Sequence, residues 1–290
     1  MNKKLLVILC GISTAVTLSS RAQIVATPAA DTPAAALPAP PPAPAVAPAA
    51  TPDSLSFTFT PSYVTTYMFR GQRLGGQSLE PSFEGDYGNL ALGVWTDFPY
   101  DYENRVPGQS DPEIDPYGSY TFNLTDSLSI QPGFTWYTYC TAPTDQGFYR
   151  MTFEPNLAVN YTVDGVKFTP KYYYDVILHT ATYEFNAAYT VPFKSIGSEF
   201  DFSGTVGTYL GTDVVNTGKA TNPVNTKAWG NYWLVGVSMP FQLTPRWKLI
   251  LGWAYTEGSG AYAKVGTLPK MINTEAVGRG VGSGALAFTF

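Results

Sequence analysis

The chain has little of what most enzyme and nucleic-acid sites require. Charged residues make up only 13% of its 290 residues, about half of the usual share. One histidine and two cysteines are too few for a His/Cys metal site or a disulfide scaffold. The formal net charge of -5 offers no basic face, so we expect no nucleic-acid partner. A mean hydropathy of -0.05 also argues against a bundle of membrane helices.

Aromatic residues are abundant by contrast. The chain contains 20 Tyr, 17 Phe and 6 Trp, which together form 15% of it. So much apolar surface excludes disorder for most of the sequence, because it must be buried against protein or lipid.

The first residues have the pattern of an export signal. Lys3 and Lys4 are followed by an apolar stretch, Leu5 to Leu18, and by the small residues Ser20 and Ala22 around Arg21. This arrangement predicts a signal peptide over residues 1–22, with cleavage before Gln23. The mature protein would then retain Cys140 alone and could form no internal disulfide.

Residues 23–53 are predicted to form a linker. Positions 23–52 hold 9 Pro and 12 Ala, and they lack the bulky side chains of a core. Such composition favours an extended, solvated, disordered periplasmic segment.

From residue 54 to residue 290 the hydrophobic pattern has a period of two. Leu55, Phe57 and Phe59, continued as far as Tyr67 and Phe69, alternate with polar residues in the first run. Eleven further runs follow, and a period of two is that of a β-strand. Short turns such as Gly88-Asn89 alternate with longer connections, notably 99–112, 212–227 and 258–280.

The fold prediction is a transmembrane antiparallel up-and-down β-barrel of about 12 strands. The polar face carries Ser, Thr and Asn with isolated charges, whereas the apolar face carries Tyr, Trp and Phe near strand ends, as in the aromatic girdles of membrane barrels. A soluble β-sandwich is the alternative, since alternation alone does not separate the two folds. The last strand, Ala285 to Phe290, ends on Phe and resembles the signal read by the barrel-insertion machinery. We therefore expect the outer membrane of a Gram-negative-type bacterium, with its lipids as partners.

Several segments resemble the TorF-type (Gcw-type) outer-membrane porins. They are Tyr63-Val64, Tyr67 to Gly71, Leu79 to Tyr87, Leu92 to Trp95, Glu113 to Tyr120 and Gly133 to Tyr139. The likeness covers about residues 55–185, and Phe69-Arg70-Gly71 is its most specific element. The stretch Gln72 to Gln77 departs from the family pattern. The resemblance implies a barrel and a channel, but no catalytic residues and no particular solute.

Strand parity predicts which charged residues line the bore, because charges facing lipid are costly. The predicted pore-lining residues are Arg70, Glu80, Glu84, Asp86, Glu113, Asp115, Arg150, Glu154, Lys167, Lys171, Asp175, Glu184, Glu199, Asp201, Arg246 and Lys248. Acidic residues outnumber basic ones in this set, which favours passive diffusion of small solutes with a mild preference for cations. The same charges could instead pair across the bore and only stiffen the wall. Trp95, Tyr117, Tyr137, Tyr139, Tyr173 and Tyr209 also point inward by parity and predict a narrow bore.

Three other functions compete with a channel. A closed structural or adhesive barrel would work through its long loops. A lipid hydrolase would need a Ser-His pair, for which His179 is the only imidazole, so we predict no enzyme activity. Asp101, Glu103 and Asp111 could hold a divalent cation in a loop, although we predict neither a metal site nor a cofactor.

Overall fold

The computed structural model describes residues 55–100, 112–141, 150–215, 224–260 and 278–290. The predicted signal peptide, the linker and the acidic loop residues Asp101, Glu103 and Asp111 lie outside these ranges. Within them, most residues belong to antiparallel β-strands.

Seventeen strands lie within the described residues. They are β1 Leu55–Thr60, β2 Ser62–Val64, β3 Met68–Phe69, β4 Gln72–Arg73, β5 Ser78–Leu79, β6 Ser82–Tyr87, β7 Leu90–Pro99, β8 Glu113–Tyr120, β9 Phe122–Asn123, β10 Leu128–Thr138, β11 Met151–Val163, β12 Val166–Asp175, β13 Thr180–Phe193, β14 Ser198–Val215, β15 Val224–Gln242, β16 Trp247–Gly260 and β17 Arg279–Thr289. A single 3₁₀ turn, Lys194–Ile196, connects β13 to β14.

These segments make a closed barrel of 12 strands. Pro61 interrupts the first barrel strand between β1 and β2, and Glu80-Pro81 interrupts the second between β5 and β6. A proline lacks the N–H of a ladder hydrogen bond, which explains why pairing breaks at both places. Thr121 similarly separates β8 from β9. The predicted fold class and strand number are confirmed.

The last strand closes the barrel against the first. Thr58 and Phe59 of β1 pair with Thr289 and Phe288 of β17, and the backbones of Phe57 and Phe290 exchange hydrogen bonds of 3.0 and 2.9 Å. The Phe290 ring stacks on Phe57 with centroids 5.7 Å apart. Closure satisfies the edge hydrogen-bonding groups, as a sheet in a bilayer requires.

The two ends of the barrel differ, as the spacing of the runs predicts. One end, called here the turn end, holds the first and last residues of the barrel. It also holds the short connections at 88–89, 124–127, 164–165, 194–197 and 243–246. Asp164 and Gly165 have φ of 51° and 77°, the left-handed pair of a tight hairpin turn. The strand ends that the longer connections join lie at the other end, called here the loop end.

The outer surface of the barrel is apolar. Five of the six tryptophans are exposed there, namely Trp136, Trp229, Trp233, Trp247 and Trp253, whereas Trp95 is buried inside. Apolar exposure on this scale is unlike the surface of a soluble monomer and matches the lipid-facing belt of an outer-membrane barrel. Localisation in the outer membrane agrees with this architecture. None of the helices among the described residues has the length and apolarity needed to cross a membrane.

The structure corrects the prediction for the first run. Alternation predicts one strand through Phe69, but the strand ends at Val64. Tyr67 and Phe69 are 0% and 3% exposed, because the chain turns into the bore after Val64 instead of continuing along the lipid face.

Candidate functional site in the bore

A short hairpin fills part of the bore near the loop end. Residues 65–77, called here the inner hairpin, connect the first two barrel strands and contain β3 and β4. The backbone N–H of Tyr67 donates to Gly76 O at 3.0 Å, and that of Leu74 donates to Tyr67 O at 2.9 Å. The segment is therefore an ordered element of the barrel interior.

The tip of the inner hairpin is a two-residue turn. Arg70 and Gly71 have φ of 44° and 76°, and Phe69 pairs with Gln72 across them. Two consecutive positive φ values characterise the type I′ turn, whose second position suits glycine. A non-glycine residue is uncommon in this conformation, so Arg70 is held there by its side-chain contacts.

Arg70 forms an ion pair with Glu154 of β11 on the far wall. Its two terminal nitrogens donate to the two carboxylate oxygens at 3.1 and 2.9 Å, and both side chains are buried. The hydroxyl of Tyr137 donates to Glu154 Oε1 at 3.0 Å. The guanidinium also lies over the rings of Phe69 and Tyr173, at 4.7 and 4.8 Å from their centroids. A bidentate pair of this kind fixes both position and orientation.

The other side of the hairpin tip touches the backbone of β16. A Cβ atom added to Gly71 would lie 2.6 Å from Gly258 Cα, and one added to Gly258 would lie 2.7 Å from Gly71 O. Only glycine on both sides permits this approach. The hairpin thus spans the bore, with Glu154 on one side and β16 on another.

The base of the inner hairpin packs on an aromatic cluster. Tyr67, Phe69 and Leu74 form one buried group with Trp95 of β7 and Tyr117 of β8. The Tyr67 and Trp95 ring centroids are 5.7 Å apart, and the Tyr67 hydroxyl donates to Glu113 Oε2 at 3.1 Å. Burial of this apolar surface stabilises the inward position of the hairpin.

Carboxylates are concentrated around this cluster. Glu80, Asp97, Glu113 and Asp115 are each 1% exposed or less. The backbone N–H of Thr138 donates to Asp115 Oδ1 at 3.1 Å. This part of the wall is therefore rich in acidic groups that are shielded from bulk solvent.

Tyrosine hydroxyls hold several of the carboxylates. Tyr117 donates to Glu84 Oε2 at 2.8 Å, and Tyr173 and Tyr232 both donate to Glu184. With the Tyr67–Glu113 and Tyr137–Glu154 bonds, five tyrosine hydroxyls donate to four glutamates inside the barrel. The sequence shows both partners, but their pairing joins residues distant in the chain.

Some bore tyrosines lie flat on the wall. A Cβ added to Gly230 would lie 2.5 Å from Tyr209 Cζ, and Gly93 and Gly207 lie in the same way beneath the rings of Tyr117 and Tyr232. The six residues predicted to point inward, Trp95, Tyr117, Tyr137, Tyr139, Tyr173 and Tyr209, are all buried. Of these six, Tyr117 and Tyr209 cover glycines of the neighbouring strand and therefore lie close to the wall.

The predicted pore-lining residues fall into three groups by exposure. Arg70, Glu80, Glu113, Asp115, Glu154, Asp175 and Asp201 are buried; Glu84, Asp86, Lys167, Lys171, Glu184 and Glu199 are half-buried; Arg150, Arg246 and Lys248 are exposed. Arg70 lies on the inner hairpin, Arg150 precedes β11 and Arg246 lies in a short turn, so these three are not on a barrel strand. Asp175 accepts the backbone N–H groups of Ile177 and Leu178 at 2.9 and 2.8 Å, and thereby stabilises a tight connection at the loop end.

Sequence reasoning overlooked Asp97 and the inward course of the hairpin. Asp97 is 1% exposed and has the same parity on β7 as the buried Trp95, so parity could have identified it. The hairpin has a weaker signal, which is the pair Gly75-Gly76 after Arg70-Gly71.

The turn-end half of the bore is lined differently. A cavity of about 290 Å³ opens there, lined chiefly by side chains from β9 to β13 and the 124–127 turn. Its lining is mostly Ser, Thr, Asn and Gln, with Lys167 as the single basic group.

Of the remaining candidate residues, Asp101, Glu103 and Asp111 lie outside the described residues. His179 is exposed at the loop end, with φ of 54°. Among the described residues, no three His, Cys, Asp or Glu side chains are grouped so that they could hold a metal ion. Cys140 is a free, exposed thiol.

Comparison with known proteins gives a likeness in fold only. No protein-family model matches the chain, nor does any curated protein, so the TorF-type resemblance has no such match. The chain is similar to the NanC porin (TM-score 0.48, 10% identity, 80% of this chain and 98% of that one) and to the KdgM porin (0.42, 11%, 81% and 99%). It is also similar to LpxR from Salmonella typhimurium (0.45, 10%, 80% and 100%). Sequence identities and TM-scores this low support no statement about the activity of this chain.

Proposed function

We propose that the protein is an outer-membrane channel of restricted bore for passive diffusion of small solutes, with a mild preference for cations. The turn end would face the periplasm, because short turns lie on that side of bacterial barrels. The observation that carries this proposal is a polar, charged bore inside an apolar closed barrel.

The inner hairpin supports the restricted bore. It reaches from its own strands to Glu154 on β11 and to Gly258 on β16. A barrel of 12 strands also lies between filled eight-stranded barrels and the open porins of about 16 to 18 strands. We therefore expect conductance well below that of a general porin.

The carboxylates support the mild cation preference. The inner side of the barrel near the hairpin carries four carboxylates, those of Glu80, Asp97, Glu113 and Asp115. In channels, charged side chains around the pore select among ions by the sign of their charge. Hydrogen bonds from Tyr67 and Tyr117 to neighbouring glutamates engage part of this charge in wall structure, which is why the preference is expected to be mild.

Single-channel recording in planar bilayers tests the proposal. The full chain, expressed in a bacterial host and extracted from its outer membrane, should give small discrete steps. The reversal potential measured in a salt gradient should show that cations permeate more readily than anions. A preference for anions would contradict the proposed cation preference. Current steps as large as those of an open 16-stranded porin would contradict the proposed narrow bore.

A closed barrel that works through its loops is the second candidate. The backbone contact between Gly71 and Gly258 and the buried Arg70–Glu154 pair favour it, because they fix the hairpin at two places across the bore. A correctly folded barrel that gives no current over many insertions would support this function and exclude the channel.

We also propose that the barrel catalyses no reaction. The exposed position of His179, the one histidine of the sequence, supports this, since an exposed histidine is more often a surface residue than a catalytic base. Hydrolysis of phospholipid vesicles by the wild type and its absence in His179→Ala would overturn it.

A further inference from the structure

The cavity at the turn end has the composition of a binding site. Its volume of about 290 Å³ is at the lower end of the range for small-molecule pockets. Among its lining side chains are those of Thr121, Asn123, Gln131, Asn160 and Thr162. Such hydroxyl and amide groups donate and accept hydrogen bonds without imposing a charge.

Part of this hydrogen-bonding capacity is unused within the barrel. Thr121, Asn123 and Thr162 make no side-chain hydrogen bond to the part of the chain that the structure describes. The Gln131 amide nitrogen donates to Ser119 Oγ at 3.0 Å, which leaves the amide oxygen available. Asn160, in contrast, is positioned by Ser129 and Thr169 at 3.3 and 3.1 Å. The wall thus combines fixed and free polar groups.

Lys167 supplies the charge. Its side chain is half-buried in the cavity wall on β12, and no carboxylate among the described residues lies within ion-pair distance of its ammonium group. Lys171 has the same strand parity, and its ammonium lies 4.7 Å over the Tyr173 ring. A confined ammonium without a partner is an attractive position for an anion.

The surrounding acidic groups limit the charge of the occupant. Asp126 lies in the exposed turn that lines the cavity, and Asp201 on β14 accepts the hydroxyl of the lining residue Thr190 at 2.7 Å. Both would repel a second negative charge, so a monoanion fits better than a dianion.

We propose that this cavity binds a small hydroxylated monocarboxylate that enters from the turn end. Lys167 would pair with the carboxylate, while Thr121, Asn123 and Thr162 would bond to the hydroxyls. The site goes beyond channel activity, because binding from the turn end does not require an open path past the inner hairpin.

A matched pair of probes tests the proposal on the purified full chain in detergent micelles. D-gluconate and D-sorbitol carry similar linear arrays of hydroxyls, but only gluconate has a carboxylate. Calorimetric titration at low salt should show gluconate binding at least about ten-fold more tightly than sorbitol, as expected for one charge-assisted contact. Equal binding of the two, or binding of neither, would overturn the proposal.

Two lysine variants complete the test. Lys167→Gln should lose gluconate binding by about ten-fold and leave sorbitol unchanged. Lys248→Gln is the control, since Lys248 is exposed near the same barrel end and does not line the cavity. An equal loss in both variants would mean attraction by overall charge and would contradict the site. The binding result can be distinguished from the conductance result. A barrel that conducts but does not bind gluconate would contradict only the binding site. A barrel that binds gluconate but does not conduct would contradict only the channel.

Discussion

The loop-end and turn-end halves of the bore are built from the same strands but are filled differently. The loop-end half contains the inner hairpin, an aromatic cluster and buried carboxylates such as Glu113 and Glu154. The turn-end half is lined by short polar side chains and keeps a cavity of about 290 Å³. Side-chain size and one inward connection therefore make the bore of a single barrel narrower at one level and wider at another.

Removal of Glu154 should have the largest effect on this contrast. Glu154→Ala leaves the buried Arg70 guanidinium without its main partner, and breaking a buried pair costs about 3–5 kcal/mol. We expect the hairpin to leave its seat, which would raise conductance and expose Arg70 and Arg73 to trypsin added at the loop end.

The double variant Arg70→Met/Glu154→Met is the control for that experiment. It removes both charges at similar volume, a change that is often neutral for a buried pair. Low conductance and trypsin resistance should be retained. If Glu154→Ala conducts like the wild type, the ion pair does not hold the hairpin.

The contrast between the outer and inner faces gives the next largest effect. Val206 near the middle of β14 is 57% exposed on the lipid side, and its neighbour Thr205 faces the bore. Val206→Arg should destabilise the barrel by about 2–4 kcal/mol if it lies near the bilayer midplane. Thr205→Arg should cost less, and urea unfolding in lipid vesicles measures both. Equal losses would argue against a lipid-facing surface.

A smaller effect is expected from substitutions at Gly71 and Gly197, two of the glycines that have a positive φ. Gly71→Ala adds a Cβ 2.6 Å from the Gly258 backbone, whereas Gly197→Ala meets nothing within 4 Å at φ of 62°. Both variants carry the backbone strain of about 1 kcal/mol, but only Gly71→Ala has the clash. Conductance should rise in Gly71→Ala alone, and the same change in both variants would exclude a role for the contact.

The smallest effect concerns charge in the loop-end half. Glu80→Gln removes one of four neighbouring buried carboxylates and should lower the cation-to-anion permeability ratio less than about two-fold, because Asp97, Glu113 and Asp115 remain. Asp126→Asn in the exposed turn should leave the ratio unchanged. Reversal potentials in a salt gradient measure both, and a larger shift for Asp126 would place the selective charge at the turn end.

Most of the barrel could be predicted from sequence, and the hairpin could not, for one physical reason. Alternation shows which side chains are removed from water. A side chain can be removed from water either by facing the lipid bilayer or by packing inside the bore, and the pattern is the same in both cases. Tyr67 and Phe69 continue the alternation of Leu55 and Phe57 and are nevertheless buried inside. The regularity that identified the strands therefore concealed the point at which the first one ends.

The site was predicted less completely than the fold. Parity identified Glu113, Asp115 and Glu154 as candidates, and it applies equally to the overlooked Asp97. It could not show that Tyr67 bonds to Glu113, since that contact joins residues 46 positions apart. Nor could it show that Arg70 lies on a hairpin and not on the wall.

The most direct test of the account compares single-channel currents of the wild type and of a variant in which residues 66–76 are replaced by a short Gly-Ser turn. Heat-dependent gel mobility first establishes that both barrels are folded. We expect small steps for the wild type and several-fold larger steps for the variant, with the cation preference retained. Equal currents, or a wild type that already conducts like an open porin, would contradict the inner hairpin as the element that restricts the bore.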